Sequence, residues 1–97
     1  MTKHLISIGI QIVPKSKVHS TYDLVDHAIA VIQKSGVKHQ ITPFETVMEG
    51  KYDELMKIAK EAEEAVLVNG ADECIVYYRI HYRKDSDVTF EEKRLNR

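Results

Sequence analysis

Alternation of apolar and polar positions is clearest from Leu5 to Val13, where Ile6, Ile8, Ile10 and Ile12 share one face and Ser7, Gly9 and Gln11 the other. A period of two with one strongly apolar face predicts a strand laid on a core. Gly9 at its centre leaves room for a backbone or a ligand to approach, and Pro14 is expected to stop the ladder. Ser20-Thr21-Tyr22-Asp23 reads as a helix start, with a Ser cap and an acid three positions later. Val25, Ala28, Ile29 and Ile32 then recur at helical spacing until Ser35-Gly36 closes the segment. From Val37 to Glu49 the pattern predicts two strands joined by a tight connection near Thr42-Pro43 and broken by Gly50. A second helix is expected from Tyr52 to Val68, with Asp53 and Glu54 in its first turn and Leu55, Ile58, Ala59, Ala62 and Val66 as its buried stripe. Cys74 to Tyr82 is β-branched and aromatic, and predicts the last strand. Cys74, Val76, Tyr78, Ile80 and Tyr82 should face the core, and Ile75, Tyr77, Arg79, His81 and Arg83 the other side.

The order β-α-β-β-α-β predicts an α+β fold of ferredoxin-like arrangement: a four-stranded antiparallel sheet covered on one face by two helices. A single domain is expected over residues 1–97, with a charged C-terminal extension from about residue 84 in which Thr89 to Glu92 could cap a short terminal helix. The uncovered sheet face must be solvated or buried by another subunit. Ile75 and Tyr77 favour the second, so a homo-oligomer is expected.

Composition narrows the function classes. With 97 residues and 43% hydrophobic content, the chain suits one core. Its 14 Lys and Arg balance 15 Asp and Glu, which leaves no general field for nucleic acid or an anionic membrane. Cys74 has no partner for an internal disulfide, the N-terminus carries no hydrophobic signal core, and the apolar runs are too short for a membrane span. A cytoplasmic location is the expectation.

Candidate chemistry is sparse. His4, His19, His27, His39 and His81 show no paired ligand spacing, so no metal and no cofactor is expected. No G-x-S-x-G, phosphate-binding glycine loop or C-x-x-C occurs, which leaves hydrolytic and dithiol chemistry without a motif. Arg79, Arg83 and Lys84 near His81 form a small basic group; it reads either as a holder of phosphate or carboxylate or, more simply, as an edge-strand charge pattern. The stretch from His39 to Gly50 is different. Neither face of it is purely apolar, and Thr42, Thr46, Glu49 and Gly50 fall close together, as at the edge of a small-ligand site.

Gln11-Ile12-Val13-Pro14 on the first strand, Ser20-Thr21-Tyr22, Ser35-Gly36-Val37, Thr46-x-x-Glu49-Gly50 and a final strand ending in Arg83 resemble, in order and spacing, the thiamine-binding protein family of small ferredoxin-like domains. The likeness runs from about Leu5 to Asp85. It implies a non-catalytic cytoplasmic protein that binds thiamine or its hydroxymethylpyrimidine part, assembled through its sheets as a tetramer of paired dimers. It implies ligand-binding roles for Gln11, Ser20, Tyr22, Thr46 and Glu49. Thiamine offers an aminopyrimidine, which wants a polar partner in an apolar slot, and a thiazolium cation, favoured near a carboxylate or a π face. Phe44 and Glu45 stand where the resemblance implies small residues before the Thr. The alternative reading is a regulatory or assembly protein whose oligomer is the functional unit, with no thiamine-type ligand. An enzyme using Glu49 or His39 as a base would lack a partner acid, nucleophile or metal.

Overall fold

A computed structural model of the chain describes residues 3–94; residues 1–2 and the last of the charged C-terminal stretch, 95–97, lie outside the described residues. The elements are β1 (Ile6–Lys15), α1 (Thr21–Ser35), β2 (Lys38–Ile41), β3 (Thr46–Gly50), α2 (Tyr52–Val68), β4 (Glu73–His81) and a 3-10 turn, Glu91–Lys93. The strands form one antiparallel sheet in the order β2-β3-β1-β4. Two helices and four antiparallel strands make this the α+β, ferredoxin-like arrangement.

The isoleucine face of β1 sits at the centre of the core. Ile6, Ile8 and Ile10 pack with Met48 of β3, with Ala28 and Ile32 of α1, and with Leu55, Ala59, Ala62 and Val66 of α2. The alanines allow the second helix to approach closely, which a larger side chain there would prevent. Ser20 caps α1 by accepting the Asp23 N–H at 3.1 Å, and Gly36 ends it at φ 77°, a left-handed geometry that favours glycine. Cys74 lies at the edge of this core, where burial, with the Glu63 charge adding, pushes its thiol pKa up and keeps it protonated.

Two details differ from the pattern-based expectation. The buried face of α1 is Leu24, Ala28 and Ile32, with Val25 and Ile29 only half-buried. Pro14 does not end the ladder: β1 continues to pair with β4 through Pro14↔Cys74 and Lys15↔Glu73. The reason is directional. The Lys15 carbonyl accepts from Asp72 N–H at 2.7 Å, on the β4 side, so by alternation the nitrogen of Pro14 faces away from β4 and no ladder bond is lost.

Register gives β1 a bare flank. Its pairing with β3 runs from Ile6↔Gly50 to Ile10↔Thr46 and stops, while its pairing with β4 continues to Lys15. Beyond Ile10, β1 therefore has no strand on its β3 side among the described residues, and a notch opens there between the strand, α1 and the β2–β3 hairpin.

The C-terminal segment crosses the other face of the sheet. Val88, fully buried, donates its N–H to the Leu5 carbonyl at 3.0 Å, and Asp87 accepts the Leu5 N–H at 2.7 Å. Thr89 and Glu92 exchange capping-box bonds: Thr89 N–H to Glu92 Oε1 at 3.0 Å and Glu92 N–H to Thr89 Oγ1 at 3.3 Å. Arg83 grips the same carboxylate with both Nη atoms, at 2.9 and 2.5 Å.

Candidate functional site

The hairpin that bounds the notch is fixed from within. Thr42 Oγ1 accepts the N–H groups of Phe44 at 3.2 Å and Glu45 at 2.9 Å and donates to the Glu45 carbonyl at 2.6 Å. The Thr42 N–H donates to that carbonyl as well, at 3.0 Å. Pro43 follows Thr42 in this four-residue turn, at the position its fixed φ suits. One hydroxyl thus presents Phe44 and Glu45 at the sheet edge. Phe44 is 63% exposed, too far out of the core to be explained by packing.

Between this hairpin, the bare flank of β1 and α1 lies a cavity of about 250 Å³. Its walls are largely apolar: Ile10 and Ile12 from β1, Val25 and Ile29 from α1, and Ile41 and Pro43 from the hairpin. This is why Val25 and Ile29 are only half-buried. Polar groups enter at a few points, from Thr21 and Tyr22 at the helix start and from Thr42, Glu45 and Thr46 on the hairpin side. The alternation that turns Pro14 N away from β4 also turns the N–H and C=O of Ile12 toward the notch. A donor and an acceptor from the main chain are therefore set side by side on an apolar wall.

Of the residues singled out from the sequence, Gln11, Tyr22 and Thr46 meet at this cavity. Thr46 is 7% exposed, and Tyr22, at 83%, stands at the rim. Ser20 is adjacent to the rim residue Thr21, and its hydroxyl is engaged in capping α1. Glu49 lies on the opposite face of the sheet. There its carboxylate accepts the Phe90 N–H at 2.7 Å and pairs with Lys38 at 3.4 Å, while the Lys38 ammonium sits 5.5 Å from the centre of the Phe90 ring. Sequence reasoning named Glu45 only as a departure from the family pattern, without its partners, and passed over the Ile12 main chain. Glu45 reaches over the sheet to lie on Gly9 and pairs with Arg79 at 3.6 Å. Among the described residues, no group of three or more His, Cys, Asp or Glu is placed to hold a metal ion, and no helix is long and apolar enough to cross a membrane.

A model of the family described as thiamine-binding protein matches residues 8–96. The chain belongs to the thiamine-binding protein family. Among its relatives is a UPF0045 protein of Clostridium perfringens, 38% identical over 87 residues, which are 90% of this chain and 90% of that protein. A solved domain of unknown function from Bacillus cereus superposes with a TM-score of 0.90 at 38% identity, covering 93% of this chain and 86% of that one. A Thermotoga maritima structure, described as a candidate thiamine biosynthesis or salvage protein, has a TM-score of 0.81 at 27% identity and covers 92% of this chain and 94% of that one. In this member of the thiamine-binding family, the hairpin ahead of Thr46 carries Phe44 and Glu45 between the cavity and the open sheet face.

Proposed function

We propose that this chain binds thiamine or its hydroxymethylpyrimidine part, without catalysis, in the notch between β1, α1 and the β2–β3 hairpin. The observation that carries the reading is the bare flank of β1. An aminopyrimidine edge presents a ring-nitrogen acceptor beside an exocyclic amine donor, the complement of the N–H and C=O that Ile12 directs into an apolar slot. The heterocycle docks as a short extra strand would, with the apolar walls against its faces. Thr46 and Tyr22 supply the remaining polar and aromatic contacts, with Ser20 at the rim; Gln11 borders the notch from β1, where its register with Tyr77 sets its side chain on the open sheet face.

Size favours the pyrimidine part inside. At about 250 Å³ the cavity falls just below the range of roughly 300–1,000 Å³ typical of small-molecule sites. It suits one ring system better than a larger cofactor. A thiazolium attached to that ring extends toward the mouth, where the exposed Phe44 ring favours a cation. Glu49 acts in this reading from the far side of the sheet, by holding the C-terminal segment in place.

We further infer a homo-oligomer, a tetramer by family resemblance. Ile75 and Tyr77 are 42% and 56% exposed on the sheet face away from the helices, where a second copy would cover them. Light scattering tests this: a mass that is a multiple of 11.2 kDa supports it, and a monomer contradicts it. Calorimetric titration with thiamine and with hydroxymethylpyrimidine tests the ligand. Saturable heat supports the reading, whereas an oligomer that binds neither compound favours an assembly role.

A further inference from the structure

Two aromatic side chains stand at the mouth of the notch, one from each element that bounds it. Tyr22 comes from the first turn of α1 and Phe44 from the β2–β3 turn, and both line the cavity. They are 83% and 63% exposed, so neither is held there by the core. The backbone under each is fixed. The Ser20 hydroxyl sets the first turn of α1 by accepting the Asp23 N–H at 3.1 Å. The Thr42 hydroxyl, bonded to the Phe44 and Glu45 N–H groups and to the Glu45 carbonyl, sets the turn that carries Phe44. Side chains on pre-set backbone meet a ligand at a smaller ordering cost than side chains on loose loops.

The charges around the cavity leave recognition at the mouth to these two rings. Among the described residues that line it, none is a lysine or arginine, and the one carboxylate, Glu45, is turned to Gly9 and Arg79 on the open sheet face. A cation at the mouth therefore meets aromatic faces in place of a fixed counter-charge. Such a face attracts a permanently charged nitrogen, and gives a neutral ring of the same shape only its apolar contact. A volume of about 250 Å³ holds one ring system, so a second ring attached to it lies between Tyr22 and Phe44.

We propose that Tyr22 and Phe44 form a two-sided aromatic mouth that selects ligands whose second ring is planar and permanently cationic, with Phe44 as the specificity-determining side chain. Phe44 stands where the family resemblance implies a small residue, so this preference belongs to the present chain and is not imposed by the fold. The selection rests on the notch holding the pyrimidine part, and it deepens that reading by ranking ligands. Thiamine stands above free hydroxymethylpyrimidine, and above any two-ring analogue of the same shape without the charge.

The test is calorimetric titration of the full chain, Phe44→Leu and Tyr22→Leu with hydroxymethylpyrimidine, thiamine and the isosteric thiamine analogue that carries a neutral thiophene in place of the thiazolium. The parent chain should bind thiamine about three- to tenfold more tightly than the thiophene analogue, the margin that a cation over an aromatic face supplies. In Phe44→Leu that ratio should fall to about one, because leucine has no π face to offer. Tyr22→Leu should lower it less, since Tyr22 is the more exposed of the pair. Phe44 also borders the open sheet face, and leucine keeps an apolar side chain there. A Phe44 that served only packing or contact with a second copy would therefore leave the ratio unchanged in Phe44→Leu. Equal affinity of the parent chain for thiamine and the thiophene analogue, or an undiminished ratio in Phe44→Leu, would overturn the proposal and leave the notch reading in place. Failure of all three compounds to bind the parent chain would overturn both.

Discussion

The carboxylate of Glu45 lies directly over Gly9, in the space a side chain at that position would fill. A residue from the β2–β3 hairpin thereby reaches across the sheet to the central strand and meets Arg79, which β4 places opposite Gly9. The absent side chain at Gly9 is what lets the hairpin close over the sheet, and that closure sets one wall of the notch.

Gly9→Ala should therefore uncouple binding from stability. A methyl group must displace the Glu45 carboxylate, but that is the mobile end of a long side chain, and alanine in a strand recovers roughly 0.5–1 kcal/mol of backbone entropy relative to glycine. Denaturant unfolding should change by less than about 1 kcal/mol. Thiamine affinity should fall severalfold, because Phe44 and Glu45 move together.

The Arg83–Glu92 fork should make stability depend on acid pH with a definite sign. The two hydrogen bonds from Arg83, then the Thr89 N–H, lower the Glu92 pKa from 4.5 to about 2. A carboxylate whose folded pKa lies below its unfolded value contributes stability above the unfolded value, and that contribution is lost as pH falls through the folded one. Glu92→Gln should be less stable than the parent chain at neutral pH, and the gap should close between pH 4.5 and about 2. The Leu5 N–H, and to a lesser degree His4, lowers the Asp87 pKa as well, so urea titrations of parent and variant must be compared at each pH to isolate Glu92.

Glu49 holds the C-terminal segment to the sheet through the Phe90 N–H. Its side chain is only 8% exposed, and hydrogen bonds to such charged groups contribute roughly 1.5–3 kcal/mol. In Glu49→Ala the Phe90 amide should exchange with solvent at least about tenfold faster, while amides in β1 keep their protection. Equal acceleration throughout β1 would mean that Glu49 supports the whole sheet instead.

The sequence pattern made the scaffold legible and left the site half-visible, for reasons that particular residues illustrate. Ile6, Ile8, Ile10 and Ile12 announce β1 because a period of two is local information, as are the Ser20 cap and the Gly36 stop. Register is not local. Nothing near Ile12 in the chain says that β3 stops at Thr46↔Ile10, yet that stop creates the notch and leaves Val25 and Ile29 half-buried along its wall. Thr46 was legible as a polar group on a hairpin neither of whose faces read as purely apolar, and Gln11 entered through the family resemblance. Alternation alone separates Thr46 from Glu49, since residues three apart on a strand face opposite ways; the partner that occupies Glu49, Phe90, lies 41 residues away in sequence. The placement of Glu45 was hidden for the same reason, because its environment is Gly9 and Arg79.

The most direct test of the account is calorimetric titration of Ile12→Pro with hydroxymethylpyrimidine, beside the parent chain and Ile12→Val as a packing control. Proline at this position removes the N–H that β1 turns toward the notch, and the ladder to β4 survives, as it already does at Pro14. The account predicts a folded variant that has lost about tenfold or more in affinity, the expected loss for a buried hydrogen bond left unmade, with Ile12→Val close to the parent. A folded Ile12→Pro that binds as tightly as the parent chain would contradict it, as would a parent chain that binds neither hydroxymethylpyrimidine nor thiamine.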